Sequence, residues 1–381
     1  MTISAWQYYN PVRIVSELGA IERLDACVPY RRVALITTPG FSRRGTTRVV
    51  AQVLGDKLVD ILDNVQPNPD VRDIDQQAAV LRPAKPDALV ALGGGSSIDT
   101  AKALARLLTQ RPECSLTEHF REGRDFELRH ALPVVAIPTT AGTGAEVTPF
   151  GTVWDFELNK KYSVTGQDLY PAFAVLDPEL TLDLPEEVTI SSGLDAISHA
   201  LESVWNKNAN PITQAFATQA LRHALPALKT VKESPKDLPA RSSLMQASMI
   251  AGLAISQTRT ALAHSISYPL TTHYSLPHGF ACSFTLPALL AFNGEADDGR
   301  LKELSKALGF DGVPALAGEL NNLFREIGLA EYMQRYIADD SQAVRLTDQM
   351  QTKDRAGNNL RNASEEEIKR LVISSLDAIG Y

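Results

Sequence analysis

Residues 88–108 read ALVALGGGSSIDTAKALARLL, and this stretch decides the fold. Ala88 to Leu92 form an apolar run of the length expected for a strand buried on both faces. Three glycines follow, and from Ser97 to Leu108 the alanines and leucines return at the helical period. A buried strand passing through glycines into a helix is one unit of a mostly parallel sheet. The alternation recurs around it, with Val33 to Thr37 leading to a helix around Thr46 to Leu58, and a further strand at Val134 to Pro138. Residues from about 30 to 185 therefore read as α/β, with Gly- and Thr-rich segments just past predicted strand ends, where ligands gather in such sheets.

Glycines at a strand-to-helix junction let the backbone approach a phosphate, and the helix N-terminus offers unpaired N–H groups there. Gly93 to Asp99 therefore suggest a dinucleotide phosphate site. The G-x-G-x-x-G fingerprint is broken by Ile98 in place of its third glycine, so the domain is Rossmann-like and not standard. A second segment, Pro138 to Thr148 (PTTAGTGAEVT), adds hydroxyls and flexible backbone suited to ribose and pyrophosphate.

After Asp177-Pro178 and Leu184-Pro185 the strands vanish. Val188 to Val204, Pro211 to Leu228, Ala240 to Ala254, Arg300 to Leu308 and Glu365 to Leu376 read as helices, while Asp339 to Ser364 is polar and expected to be irregular. The expectation is two domains: an N-terminal Rossmann-like α/β dinucleotide-binding domain over residues 1–185, then an all-helical metal- and substrate-binding domain over 186–381, with the site in a cleft between them.

Asp195 and His199 are spaced i, i+4 on a predicted helix, so both project from one face and can share an ion. Three of the seven histidines, His264, His273 and His278, fall within fifteen residues of largely apolar sequence. Buried imidazoles need partners. One carboxylate with imidazoles suits a borderline divalent ion such as iron(II) or zinc, and an open coordination position implies Lewis-acid work.

The net charge of -8 gives no global field toward nucleic acid or anionic lipid, and neither is expected as a partner. Met1 to Asn10 lack a basic segment followed by an apolar one, and no long uncharged apolar run occurs, so a cytoplasmic protein is expected. Cys27, Cys114 and Cys282 are odd in number with no CxxC pair, which points to reduced thiols.

Together these segments resemble the iron-containing, or group III, alcohol dehydrogenase family along nearly the whole chain. GGGSSID at 93–99, PTTAGTGAEVT at 138–148, DPELTLDLP at 177–185, GLDAISHALES at 193–203 and HSISYPLTTHYSLPHG at 264–279 come in the family's order. The resemblance implies metal ligands Asp195, His199, His264 and His278, with Fe(II) usual and zinc known. It implies NAD(H) or NADP(H) contacts from Gly94, Gly95, Ser96, Asp99, Thr139, Thr140, Thr143 and Lys161. It also implies a small alcohol or aldehyde substrate and a homodimer.

Two departures stand out. Tyr268 occupies a position where many members carry a histidine that relays protons; its hydroxyl could serve, with His273 as a second candidate. Thr38 stands after the first strand where NAD-preferring members place an acidic residue, with Arg43 and Arg44 close behind, so a 2′-phosphate is not repelled. SISYPLTTHYSLPHG and NNLRNASEEEI at 358–368 look like a branch that includes hydroxyethylphosphonate dehydrogenases, acting on phosphonoacetaldehyde and 2-hydroxyethylphosphonate. Such a substrate needs a cation, for which Arg361 is a candidate. The rival readings are a glycerol dehydrogenase or dehydroquinate synthase relative, a metallohydrolase using the same Asp/His site, and a non-catalytic scaffold.

Overall fold

The computed structural model describes residues 5–126, 130–158 and 160–381, apart from the side chain of Lys353. The N-terminal reading of Met1 to Asn10 falls in part on residues 1–4, outside the described residues. Chain contacts divide the protein into an α/β unit, Asn10–Thr140 with Ala145–Thr181, and a helical unit, Leu182–Tyr381 with Ala141–Gly144 and the stretch up to Tyr9. The expected class, α/β followed by all-α, is the observed one.

In the α/β unit, β1 (Arg13–Ser16), β2 (Val33–Ile36), β3 (Leu58–Leu62), β4 (Ala88–Gly93), β5 (Val134–Pro138) and β8 (Phe173–Leu176) form one sheet in the order β1-β8-β5-β4-β2-β3. All its pairings are parallel. A separate antiparallel hairpin joins β6 (Phe150–Asp155) to β7 (Lys160–Thr165). Successive residues of the central strands feed opposite cores: Leu89, Ala91, Val134 and Ala136 enter one, Val90, Leu92, Val135 and Ile137 the other. Burial on both faces is why these strands are continuous apolar runs.

The strand order reverses between β2, whose chain runs outward to β3, and β4, whose chain continues to β5. Such a switch point opens a crevice at the carboxyl ends of the strands. Thr38 follows β2 there, and Gly94 follows β4. The helix expected to reach Leu58 ends at Leu54, because Gly55 stops it and Leu58 already begins β3.

The helical unit contains Glu186–Val204, Pro211–Glu233, Leu238–Thr258, Leu262–Tyr274 and Glu365–Ile379 among its longer helices. Their starts are written locally. Asn210 and Thr213 form a capping box ahead of Pro211, Asp237 caps the next helix, and Ser364 with Glu367 caps the last. Residues 339–364, expected to be irregular, contain the short helices Asp340–Val344 and Lys353–Ala356. Among the described residues no helix is long and apolar enough to cross a membrane.

Candidate metal centre and dinucleotide segment

The helix Glu186–Val204 is buried along most of its length and presents Asp195, His199 and Glu202 inward. Helical spacing stacks these three on one face. The helix Leu262–Tyr274 brings in His264, and His278 opens the helix His278–Ser283 directly after Pro277. Asp195 Oδ1 lies 3.5 Å from His199 Nε2, 3.5 Å from His264 Nε2 and 4.0 Å from His278 Nε2, while the two Nε2 atoms of His199 and His264 are 3.1 Å apart. Four donors about 2.1 Å from one ion in a tetrahedral arrangement stand roughly 3.4 Å from one another. The observed separations bracket that value.

The donors are also aimed. His264 Nδ1 donates to Glu202 Oε2 at 2.6 Å, and His199 Nδ1 to the carbonyl of Gly142 at 3.1 Å, which leaves each Nε2 lone pair directed at the same point. Two converging lone pairs repel unless a cation lies between them. Burial alone would raise the Asp195 carboxyl, but the imidazoles of His199, His264 and His278 outweigh it and hold the group well below the usual carboxylate range. Burial alone would lower His264; Glu202 and Asp195 overcome it and push the imidazole up to about 9. The same burial keeps His199 below its ordinary value despite Asp195. The carboxylates thus favour positive charge where the imidazoles converge, and the donor set fits a divalent ion.

Three participants were not legible as such in the sequence. Glu202 was missed, although its i, i+3 spacing from His199 places it on the same helix face. The Gly142 carbonyl had no sequence signal. Cys282 Sγ lies with Asp195, His264 and His278 in a cluster spanning 4.8 Å, and its thiol is 3.5 Å from Asp195 Oδ1. Burial, then Asp195, pushes that thiol well above its ordinary value, and it donates to the carboxylate.

Close backbone approach depends on two glycines. A Cβ at Gly142 would lie 2.6 Å from the carbonyl oxygen of Ser192, and one at Gly279, beside His278, would lie 1.8 Å from that of Ser191. Both contacts press residues of the site against the helix that carries Asp195.

In the α/β unit, Gly94 precedes the helix Gly95–Leu107 without any side-chain cap, and the Ser97 hydroxyl in its first turn is buried without a hydrogen-bond partner among the described residues. An uncapped N-terminus with an orphan hydroxyl is the arrangement a phosphate would complete. Thr139 N donates to Gly93 O, which joins the second segment to the first, and Ser96 Oγ accepts from Asn68 N. Asp99 receives the Thr152 N–H at 2.9 Å and is pushed up to about 6 by burial, against the opposing charges of Lys102 and Lys161. Lys161 itself lies over the Trp154 ring. Thr143 belongs to the segment grouped with the helical unit, apart from Thr139 and Thr140.

Residues 11–178 match the family described as iron-containing alcohol dehydrogenase, and residues 189–376 match the C-terminal domain of the Fe-containing alcohol dehydrogenase family. The chain belongs to the iron-containing alcohol dehydrogenase family. Among its relatives in that family, a phosphonoacetaldehyde reductase of Streptomyces viridochromogenes is 34% identical over 367 residues, covering 90% of this chain and 89% of the relative. An NAD-dependent methanol dehydrogenase of Bacillus methanolicus is 34% identical over 307 residues, covering 79% and 80%. The crystal structure of a sulfoacetaldehyde reductase from Bifidobacterium kashiwanohense in complex with NAD+ superposes with a TM-score of 0.88 at 28% identity, over 98% of this chain and 99% of that one.

Tyr268 is on the helix of His264, one turn further along. Its hydroxyl accepts a hydrogen bond from Arg355 Nε at 3.1 Å. His273, nine positions after His264, is on the opposite side of that helix, and its Nε2 meets exposed Gln349 at 3.0 Å. Arg361, the sequence-level candidate cation, is engaged by Glu295 at 2.7 Å and Glu367 at 2.6 Å and lies over the Phe292 ring.

Proposed function

We propose that the protein is a metal-dependent reductase that transfers a hydride from NAD(P)H to a small aldehyde bearing an anionic head group, and catalyses the reverse oxidation of the alcohol. The observation that carries this reading is the convergence of Asp195, His199, His264 and His278 on one point, in a chain whose other unit carries the uncapped, glycine-rich helix start.

When bound, a divalent ion, Fe(II) or zinc, supplies Lewis-acid activation of the carbonyl, and the dinucleotide supplies the hydride. Asp195, His199, His264 and His278 hold the ion. Glu202 and the Gly142 carbonyl keep two of those imidazoles in the ligating tautomer. Gly94, Gly95, Ser96 and Asp99, with Thr139, Thr140, Thr143 and Lys161, bind and orient the dinucleotide. Tyr268 Oη, which accepts from Arg355 Nε, is the group that would give a proton to the alcohol oxygen.

Thr38 brings no carboxylate to the end of β2, and Arg44 rests over the Phe41 ring 4.5 Å from its centroid, within the helix that follows. This supports acceptance of NADPH as well as NADH. The sulfoacetaldehyde reductase bound to NAD+ supports NADH. That protein and the phosphonoacetaldehyde reductase are named for acetaldehydes with a strongly acidic substituent, which supports phosphonoacetaldehyde or a close analogue as substrate. A cytoplasmic homodimer completes the reading, its subunit number being open to light scattering.

The test is oxidation of NADH and NADPH with propanal, phosphonoacetaldehyde and sulfoacetaldehyde after loading with iron(II) or zinc. Metal-dependent turnover is expected. Failure to bind either dinucleotide, read by cofactor fluorescence, would overturn the proposal and point to a hydrolase.

A further inference from the structure

Arg355 is a half-buried arginine with an unusual set of partners. Its Nε donates to the Tyr268 hydroxyl at 3.1 Å, and its Nη1 reaches only the backbone carbonyl of Asp354 at 3.4 Å. No carboxylate pairs with it among the described residues. Other arginines of the helical unit differ: Arg361 has Glu295 and Glu367, and Arg300 has Asp298.

The position of Arg355 is imposed from both sides. Ser265, adjacent to His264, donates to Met350 O and receives the Thr352 N–H, both at 2.7 Å. Beyond the short helix Lys353–Ala356, Asn358 Nδ2 donates to Thr260 O at 2.9 Å. The turn carrying Arg355 is therefore fastened alongside the helix of His264, and the guanidinium is led to the residue one helical turn from a proposed metal ligand.

We infer that Arg355 receives the anionic group of the substrate, a short aldehyde ending in a tetrahedral oxyanion. The inference rests on the reductase reading of the same site. A guanidinium held at Nε by a neutral hydroxyl keeps its Nη edge for a ligand, and that planar fork matches phosphonate or sulfonate oxygens with two parallel bonds. A partly desolvated cation without a counter-charge favours an anionic ligand over a neutral one of equal size. Arg355 is in this sense a specificity residue, and Tyr268 positions it.

The experiment compares wild type, Arg355→Met and Arg355→Lys, zinc-loaded and supplied with NADH, on phosphonoacetaldehyde, sulfoacetaldehyde and propanal. Wild type should prefer at least one of the anionic aldehydes, and which one identifies the head group. In Arg355→Met the ratio of kcat/KM for that aldehyde to kcat/KM for propanal should fall roughly 30-fold or more, mainly through KM. Arg355→Lys, which retains charge without the fork, should fall between and serves if the methionine variant does not fold. A purely structural role would lower all substrates together and leave the ratio intact, which overturns the inference, as does a wild type without preference for either anion. Calorimetric titration with 2-hydroxyethylphosphonate separates the two levels. Binding by wild type that is lost in Arg355→Met, with no aldehyde reduced by either, defeats the reductase reading and leaves the anion site standing.

Discussion

The Nδ1 atom of His264 stands 2.6 Å from Oε2 of Glu202, and both side chains are buried. Glu202 also accepts the backbone N–H groups of Ala261 and His264, so one carboxylate orders both the start of the helix Leu262–Tyr274 and the ring it presents. Glu202→Gln keeps the shape and removes the charge that orients the imidazole. Metal affinity, measured by competition with a chromophoric chelator, should fall about 10- to 100-fold. Unchanged affinity would show that the carboxylate serves only the helix start.

His264→Ala and His278→Ala each remove one of the four converging donors while leaving the α/β unit untouched. Turnover should be abolished, since under the proposed function a bound ion would stabilise the developing alkoxide. NADH binding, followed by fluorescence, should survive. Rates like wild type in a variant shown to be metal-free would falsify the assignment of the centre.

At Gly279 an added methyl group would lie 1.8 Å from a backbone oxygen, and no side-chain rotation can relieve it. Gly279→Ala should therefore destabilise the helical unit by about 2–3 kcal/mol or more, read from its urea unfolding midpoint. Metal affinity should drop with it, because His278 is the preceding residue. A midpoint equal to wild type would mean that the two backbones separate easily.

Glu146 is buried in the α/β unit, and burial pushes its carboxyl up to about 7, against its own backbone N–H and the Lys102 ammonium. The folded chain then holds this proton more tightly than the unfolded one, whose carboxyl titrates near 4.5. The contribution to stability is complete below the unfolded value and is lost as pH rises through the folded one. Glu146→Gln removes that dependence. Relative to wild type, the variant should gain stability on the order of 1–3 kcal/mol between the two values as pH rises. A difference that stays flat with pH would show that Glu146 titrates normally.

The sequence by itself determined the architecture and the kinds of donor. Continuous apolar runs such as Ala88 to Leu92 are possible only for strands covered on both faces, and a run that passes through glycines into a helical period leaves a parallel βα unit as its solution. Asp195 and His199 were readable as neighbours because their relation is confined to one helical turn. Tertiary structure decided what lies beyond that range. The tautomers of His199 and His264 depend on Gly142 and Glu202, which are 57 and 62 residues away in the chain. Arg361 and Arg355 are indistinguishable as letters, yet two carboxylates occupy the first, whereas Tyr268, 87 residues distant, holds the second. Local periodicity records which face a side chain takes; the partner it finds there is set by packing between segments remote in the chain.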